Sequence, residues 1–525
     1  MSTHVKLIIF FLACVFILFH NLGGPALFEP DEGRNAEKGR EILLTRDWVT
    51  PHENFLPVLD KPVFSYWLIA ISYKLFGISE WSARLPSALA GLGSLILVYV
   101  FAKTFMGSWE ALWSVLILVS SPEFVALCRI VIFDMPLNFF ITFSLCCFYW
   151  GMNADSQGKK RIFYLLMYAA MGCATLVKGP VGLVIPGMVI SFYALLAKKW
   201  SLYREMDLLL GTIVFLLIAA PWYVWVEIRN PGYLRYFFWE EHFIRFLTPH
   251  FHRSKPWYYF FAVLAIGFIP WTFLLPNVII ARWKGPVGEV NLFLIVWAVL
   301  PFLFFSFSNS KLPHYVLPIY PPLGILLGER LAVNFEKSSG GRSKVLWLPA
   351  LNLLFVFFIW VVSVYWPDLL PRRLTESVRE AFHEAPGFLI LGTLVGMILL
   401  ASGSRRAFGQ DSLYVLCCVG FALFFLSLQP IAKLVSLAGS SKDLAEKSAS
   451  LIGPQDQVVI YGTYRSSLPF YLHIERPIWV VGSGMQSNIM GSWYVAEKRP
   501  QPLAGYGKVL FTFEEFSERW ETSER

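Results

Sequence analysis

Along most of this chain the apolar positions do not alternate with polar ones; they run on. Stretches of roughly 18 or more apolar residues recur from end to end, each long enough to cross a bilayer core. They predict crossings near residues 5–22, 85–104, 109–125, 134–151, 162–178, 181–197, 208–226, 257–280, 290–307, 313–331, 345–365, 386–403 and 411–433, about thirteen in all. The first run has no small-residue cleavage site after it and meets charged sequence at once, so it reads as a retained signal-anchor. Past residue 433 the pattern changes. "QVVIYG", "PIWVV" and "KVLFTF" read as short strands and "RSSLPFYL" as the opening of a helix. Residues 434–525 are therefore predicted as a small α/β domain behind a membrane domain over 1–433.

Basic residues orient the crossings. With the N-terminus in the cytoplasm, Lys159-Lys160-Arg161, Lys198-Lys199 with Arg204, Arg282 and Lys284, Arg330 through Lys344, and Arg405-Arg406 all fall in cytoplasmic loops. That is the positive-inside pattern. Segments 25–84, 227–256 and the tail then lie outside, and each is rich in charge, Trp, Tyr and His. Composition agrees with a membrane protein: 56% of the 525 residues are hydrophobic and 15% charged, against about 25% charged in soluble domains. The cytoplasmic loops account for the net charge of +8, which does not imply nucleic acid. Nearly all of the seven cysteines lie in apolar runs without metal-ligand spacing, so neither a disulfide framework nor a zinc site is indicated.

The outer segments hold the candidate chemistry. In "EPDEGR", Pro30, Asp31 and Glu32 suit a helix start, where acids complement the dipole. Acids beside apolar chain at a membrane surface also mark function, and Asp31 and Arg34 share a helix face. "LDKPVFSYW" sets Asp60 and Lys61 before an aromatic run, either as a turn with interfacial anchors or as an acid and base presented at the surface. "FDMPL" puts Asp134 at the mouth of a crossing, as an N-cap or a pathway acid. "KGPVG" puts Lys178 at the outer end of another, snorkelling or binding phosphate. "EEHFIRFLTPHFHRSKPWYYF" gathers His242, Arg245, His250, His252, Arg253 and Lys255. Its His and acids are candidates for a divalent metal, and its cations suit a lipid phosphate. "SNSKLPHYVLPIYPP" places Lys311, His314 and Tyr315 at the mouth of a Pro-rich helix. No nucleotide-binding glycine loop is present in the sequence, so a lipid-linked donor would carry its own activation.

Taken in order over about residues 5–335, these motifs resemble those of the ArnT-type, GT-C fold glycosyltransferases, which are related to the protein O-mannosyltransferases. The resemblance implies an all-α polytopic membrane protein with a small periplasmic α/β domain in a bacterial inner membrane. It implies an inverting transfer of a sugar from undecaprenyl phosphate to an acceptor at the outer leaflet, 4-amino-4-deoxy-L-arabinose to lipid A phosphate in ArnT-type members. By resemblance, Asp31 and Asp134 are the essential acids. Lys61, Arg253 and Lys178 attend the donor phosphate, and Glu32, Arg34, Tyr315, Lys311 and His314 the substrates. Asp60 stands where the family usually has Glu, and with His242 it forms the candidate metal pair. A protein O-mannosyltransferase-like or other envelope-glycan acceptor is the nearest rival. A lipid-linked sugar flippase is the rival of another class, but the charges cluster outside rather than at the midplane.

Overall fold

A computed structural model describes residues 3–248, 254–276, 287–337, 410–453, 456–482 and 489–523, with 278, 361 and 365. The described chain is mostly helical. Six of its helices are long and apolar enough to cross a membrane, or seven if one bent pair counts as a single span. It is a multi-pass membrane protein. The expected crossings at 345–365 and 386–403 lie almost wholly outside the described residues.

The first helix, α1 (Thr3–Phe19), ends at an outer layer. Arg129 closes that end by donating to the carbonyls of Ile17, Leu18, His20 and Asn21. The outer layer comprises α2 (Asp31–Thr45), the hairpin β1 (His52–Glu53) and β2 (Leu56–Pro57), and α3 (Phe64–Phe76). Asn54 and Phe55 turn the hairpin with φ of 54° and 59°, as a two-residue hairpin turn requires. α4 (Glu80–Phe105) begins on a Ser79–Ser82 capping box and returns through the membrane.

Two expected crossings prove to be broken. The run 109–125 is α5 (Ser108–Val119) and α6 (Pro122–Cys128), bent by 72°. Pro122 disfavours helical backbone at Ser121, which is extended. The run 257–280 is a helix over Tyr259–Gly267 and a 3₁₀ turn over Trp271–Leu274, separated at Pro270. α7 (Asp134–Met152), α8 (Gln157–Lys178) and α9 (Val181–Leu196) follow the expected pattern, as do the helices Leu208–Arg229 and Glu289–Phe307. Packing between α7 and α8, and of Tyr320–Lys337 on α5, builds the core.

The three strands expected in the tail are present. β3 (Val459–Tyr461), β4 (Trp479–Gly482) and β5 (Leu510–Thr512) form a parallel sheet in that order, with Val480 paired to Ile460 and Leu510. RSSLPFYL forms a helix over Ser467–Leu472, which packs on α2. Ser466 donates to Glu53 at 2.5 Å, and Arg40 donates to the Ile474 carbonyl at 2.7 Å.

Candidate active site

Most charges of α2 are consumed in holding the outer layer together. The Glu32 carboxylate receives Nε and Nη2 of Arg84, both at 2.8 Å, and the backbone N–H groups of Val131 and Phe28. Arg84 gives its remaining donors to the carbonyls of Leu22, Pro25 and Ala26, so all five are satisfied. Glu37 holds Arg40 bidentately at 2.6 and 2.8 Å. Glu41 accepts from the N–H groups of Asn54 and Phe55 and so fixes the hairpin turn. Burial, then the neighbouring Glu37, pushes the Glu41 carboxyl well above its usual range. Arg34 donates to the carbonyls of Met490 and Gly491 at 2.8 Å each, with Nε 3.5 Å from Glu53. Gly491 has φ of 65°, and a Cβ there would fall on the Arg34 guanidinium. Glu32 and Arg34, expected to meet substrate, are thus engaged within the protein. Asp31 differs: its carboxylate is exposed and accepts no hydrogen bond among the described residues.

Five segments converge on a cavity of about 470 Å³. Lys61, in the loop between β2 and α3, donates to Glu241 at 2.7 Å. Glu241 lies on a π-helix over Arg235–Ile244, and Arg245 binds the same Glu241 oxygen. Asp134, the first residue of α7, accepts from Lys178, the last residue of α8, at 2.5 Å. Each sits where its charge complements the helix dipole. His314 Nε2 is 3.6 Å from the other Asp134 oxygen, and Lys178 lies 4.6 Å from the Tyr315 ring centre. The lining holds three cations, Lys61, Lys178 and Arg245, against two carboxylates, Asp134 and Glu241. The rest of the wall is largely apolar: Leu137, Val181, Val184, Phe238, Phe243, Phe246, Phe304 and Phe305.

The expected residues therefore separate. Lys61, Asp134, Lys178, His242 and Tyr315 line the cavity, and His314 joins it through Asp134. Asp31 does not line it. Lys311 is buried and donates to the carbonyls of Ser308 and Lys255, which makes it a loop clasp rather than a substrate contact. Arg253 lies outside the described residues. Arg245 was among the cations expected to suit a lipid phosphate, whereas Glu241 was not singled out; their i,i+4 spacing in "EEHFIR" puts them on one face.

The expected metal pair does not fit a cation. Asp60 accepts from the Tyr236 hydroxyl at 2.9 Å and the Tyr494 N–H at 3.0 Å. Burial raises its carboxyl, but Lys38, the Ser492 hydroxyl, Tyr494 and Lys61 outweigh that and hold it below its usual range. Both His242 ring nitrogens face carbonyls, Phe237 at 2.7 Å and Lys178 at 3.3 Å, so whichever nitrogen keeps its lone pair points at a carbonyl oxygen rather than at an open metal position. Burial, helped by Lys61, lowers His242 to about 4. Among the described residues, no three His, Cys, Asp or Glu side chains form a group that could hold a metal ion.

The chain is similar to known proteins in sequence and fold. Residues 60–225 match the dolichyl-phosphate-mannose-protein mannosyltransferase family. The undecaprenyl phosphate-α-4-amino-4-deoxy-L-arabinose arabinosyl transferase of Edwardsiella ictaluri is 32% identical over 435 residues, 80% of this chain and 76% of that protein. The crystal structure of ArnT from Cupriavidus metallidurans bound to undecaprenyl phosphate superposes with a TM-score of 0.82 at 30% identity, over 99% of this chain and 92% of that one. The apo oligosaccharyltransferase of Archaeoglobus fulgidus shares the fold alone, with a TM-score of 0.51 at 12% identity over 90% of this chain and 64% of that one. The identity and coverage place the chain in the undecaprenyl phosphate-α-4-amino-4-deoxy-L-arabinose arabinosyl transferase family.

Proposed function

We propose that this chain is an inverting glycosyltransferase that moves 4-amino-4-deoxy-L-arabinose from undecaprenyl phosphate to a lipid A phosphate, at the periplasmic face of a bacterial inner membrane. One observation carries the reading: a cavity with an excess cation among its charges and an otherwise largely apolar wall. A phosphate on a polyprenyl chain needs both in one site. The names and bound carrier of its relatives support the same substrates. About thirteen crossings, a cytoplasmic N-terminus and a periplasmic domain over 434–525 belong to this reading.

In the reaction, an acceptor oxygen attacks the anomeric carbon as the bond to the donor phosphate breaks, through an oxocarbenium-like transition state. The pair of electrons leaves with the phosphate, which gains one negative charge. Lys61, Lys178 and Arg245 stabilise that charge. Asp134 and His314 hold Lys178 in line, and the Tyr315 ring supports it from one side. An ionised acceptor phosphate needs no strong base, so Asp31 orients the acceptor. With a hydroxyl acceptor, Asp31 would take the proton.

Mass spectrometry of lipid A from cells with and without the gene tests the reading. A pentosamine-sized mass on lipid A phosphates disappears on deletion and is not restored by Asp31→Asn, which should fold normally. Unchanged lipid A moves the acceptor to a protein or another glycan. Carrier-dependent transport without transfer in liposomes would favour a flippase.

A further inference from the structure

Glu241 sits between two cations that come from different parts of the chain. Its Oε1 accepts from Lys61 Nζ at 2.7 Å and also from Arg245, one turn further along. Its Oε2 is buried and accepts no hydrogen bond among the described residues. An enclosed carboxylate oxygen without a hydrogen bond is costly and persists only where nearby charge holds it. Lys61 and Arg245 supply that charge. Without Glu241 they would repel one another across a poorly solvated cavity. With it, they converge on a single anionic oxygen. A phosphate oxygen presents the same acceptor to the same two donors.

We propose that Glu241 is an internal counterion that stands in for the donor phosphate. It gathers Lys61 and Arg245 when the cavity holds no lipid phosphate, and it competes with the discharged carrier for them after transfer. This rests on the reading of the cavity as a polyprenyl-phosphate site. Glu241 is a positioning residue: it acts through Lys61 and Arg245 and does not touch the reacting atoms. As the glycosidic bond breaks, the phosphate gains charge and draws both cations towards itself. Their return to Glu241 then favours release of the carrier.

Binding of undecaprenyl phosphate to the purified full chain in lipid nanodiscs tests this, alongside steady-state transfer. Glu241→Gln removes the competing charge and should bind the carrier about tenfold tighter. Its kcat and its KM for the donor should fall together, because release becomes slow. Glu241→Asp keeps the charge but cannot reach both cations, so its affinity should lie between the two. A Glu241→Gln protein that melts like the wild type but binds the carrier equally or more weakly overturns the proposal. Should Glu241→Gln not fold, Glu241→Asp decides by the same sign. The underlying site reading fails differently: the wild-type chain would not bind undecaprenyl phosphate at all.

Discussion

Two charged regions face the same side of this protein and do opposite things with their charge. Around α2, three carboxylates have both oxygens hydrogen-bonded: Glu32 with Arg84, Glu37 with Arg40, and Glu41 with the hairpin turn. In the cavity, three cations share two carboxylates, and one carboxylate oxygen accepts no hydrogen bond among the described residues. The first region is a scaffold whose charges are mostly met internally; Glu53 Oε2 and Arg34 Nε, 3.5 Å apart, lack a hydrogen bond among the described residues, and Asp31 is exposed. The second leaves part of its charge for something that enters. Density of charge along the chain does not separate the two, whereas the balance of partners does.

The sharpest way to break this contrast is to remove one partner from each region. Glu32→Ala strands the buried Arg84 and two N–H groups. Losing one member of such a pair costs about 3–5 kcal/mol, so little folded protein should survive detergent extraction, read by size-exclusion chromatography and thermal melting. Lys61→Ala should do the reverse. Removing one preorganised donor from a developing anion lowers turnover roughly 10²–10³-fold, while the melting temperature stays near that of the wild type. If Lys61→Ala unfolded the protein and Glu32→Ala melted normally, the roles assigned to the two regions would be exchanged.

A change of pH loads both regions without removing an atom, and a single substitution then tells them apart. His52 lies in the hairpin beside α2, 2% exposed, and burial lowers it to about 4. Its folded value is below the unfolded one, so it stays neutral in the fold while the unfolded chain takes up a proton below its ordinary value of about 6.5. The stability it contributes is complete above that value and is lost as pH falls towards about 4. Between pH 7 and pH 5 the loss should approach roughly 2 kcal/mol, seen as a lower melting temperature. His52→Gln should flatten that dependence in part, since His242 in the cavity wall is lowered to about 4 as well. An unchanged pH slope in His52→Gln would mean that the hairpin histidine is not held neutral.

Much of this was legible in the sequence. Runs of apolar residues located most of the described crossings, because burial in lipid demands an unbroken apolar stretch. The breaks also had a signal, since Pro122 and Pro270 sit at the two interruptions. The tail's strands could be read from their short apolar segments. The site was only half legible. Lys61, Asp134 and Lys178 stand out as charges at the ends of apolar runs. Glu32 and Arg34 stand out in the same way, yet their partners are Arg84, Met490 and Gly491, far along the chain. Whether a charge is satisfied depends on such distant contacts, which local pattern does not encode. Glu241 and Arg245 show the converse: their spacing was visible, but only Lys61, 180 residues away, makes them part of a phosphate-sized cluster.

The smallest test bears on the residue where the two readings meet. Arg34 sits one turn beyond the exposed Asp31 and was expected to contact substrate. Its fork instead joins α2 to the segment at Met490 and Gly491. Burial works against its charge, but Glu53, Asp60 and Asp31 more than offset that and raise it. Arg34→Lys keeps the charge and loses the fork, so one of the two carbonyls goes without a donor. The loss should be about 1–2 kcal/mol of stability, a drop of a few degrees in melting temperature. If Arg34 is scaffold, the fraction that folds should transfer sugar with an unchanged KM for the acceptor. If Arg34 meets substrate, that KM should rise even where the protein melts like the wild type. A rise in KM without a loss of stability would extend the active site along α2 from Asp31 and end the clean division between the two charged regions.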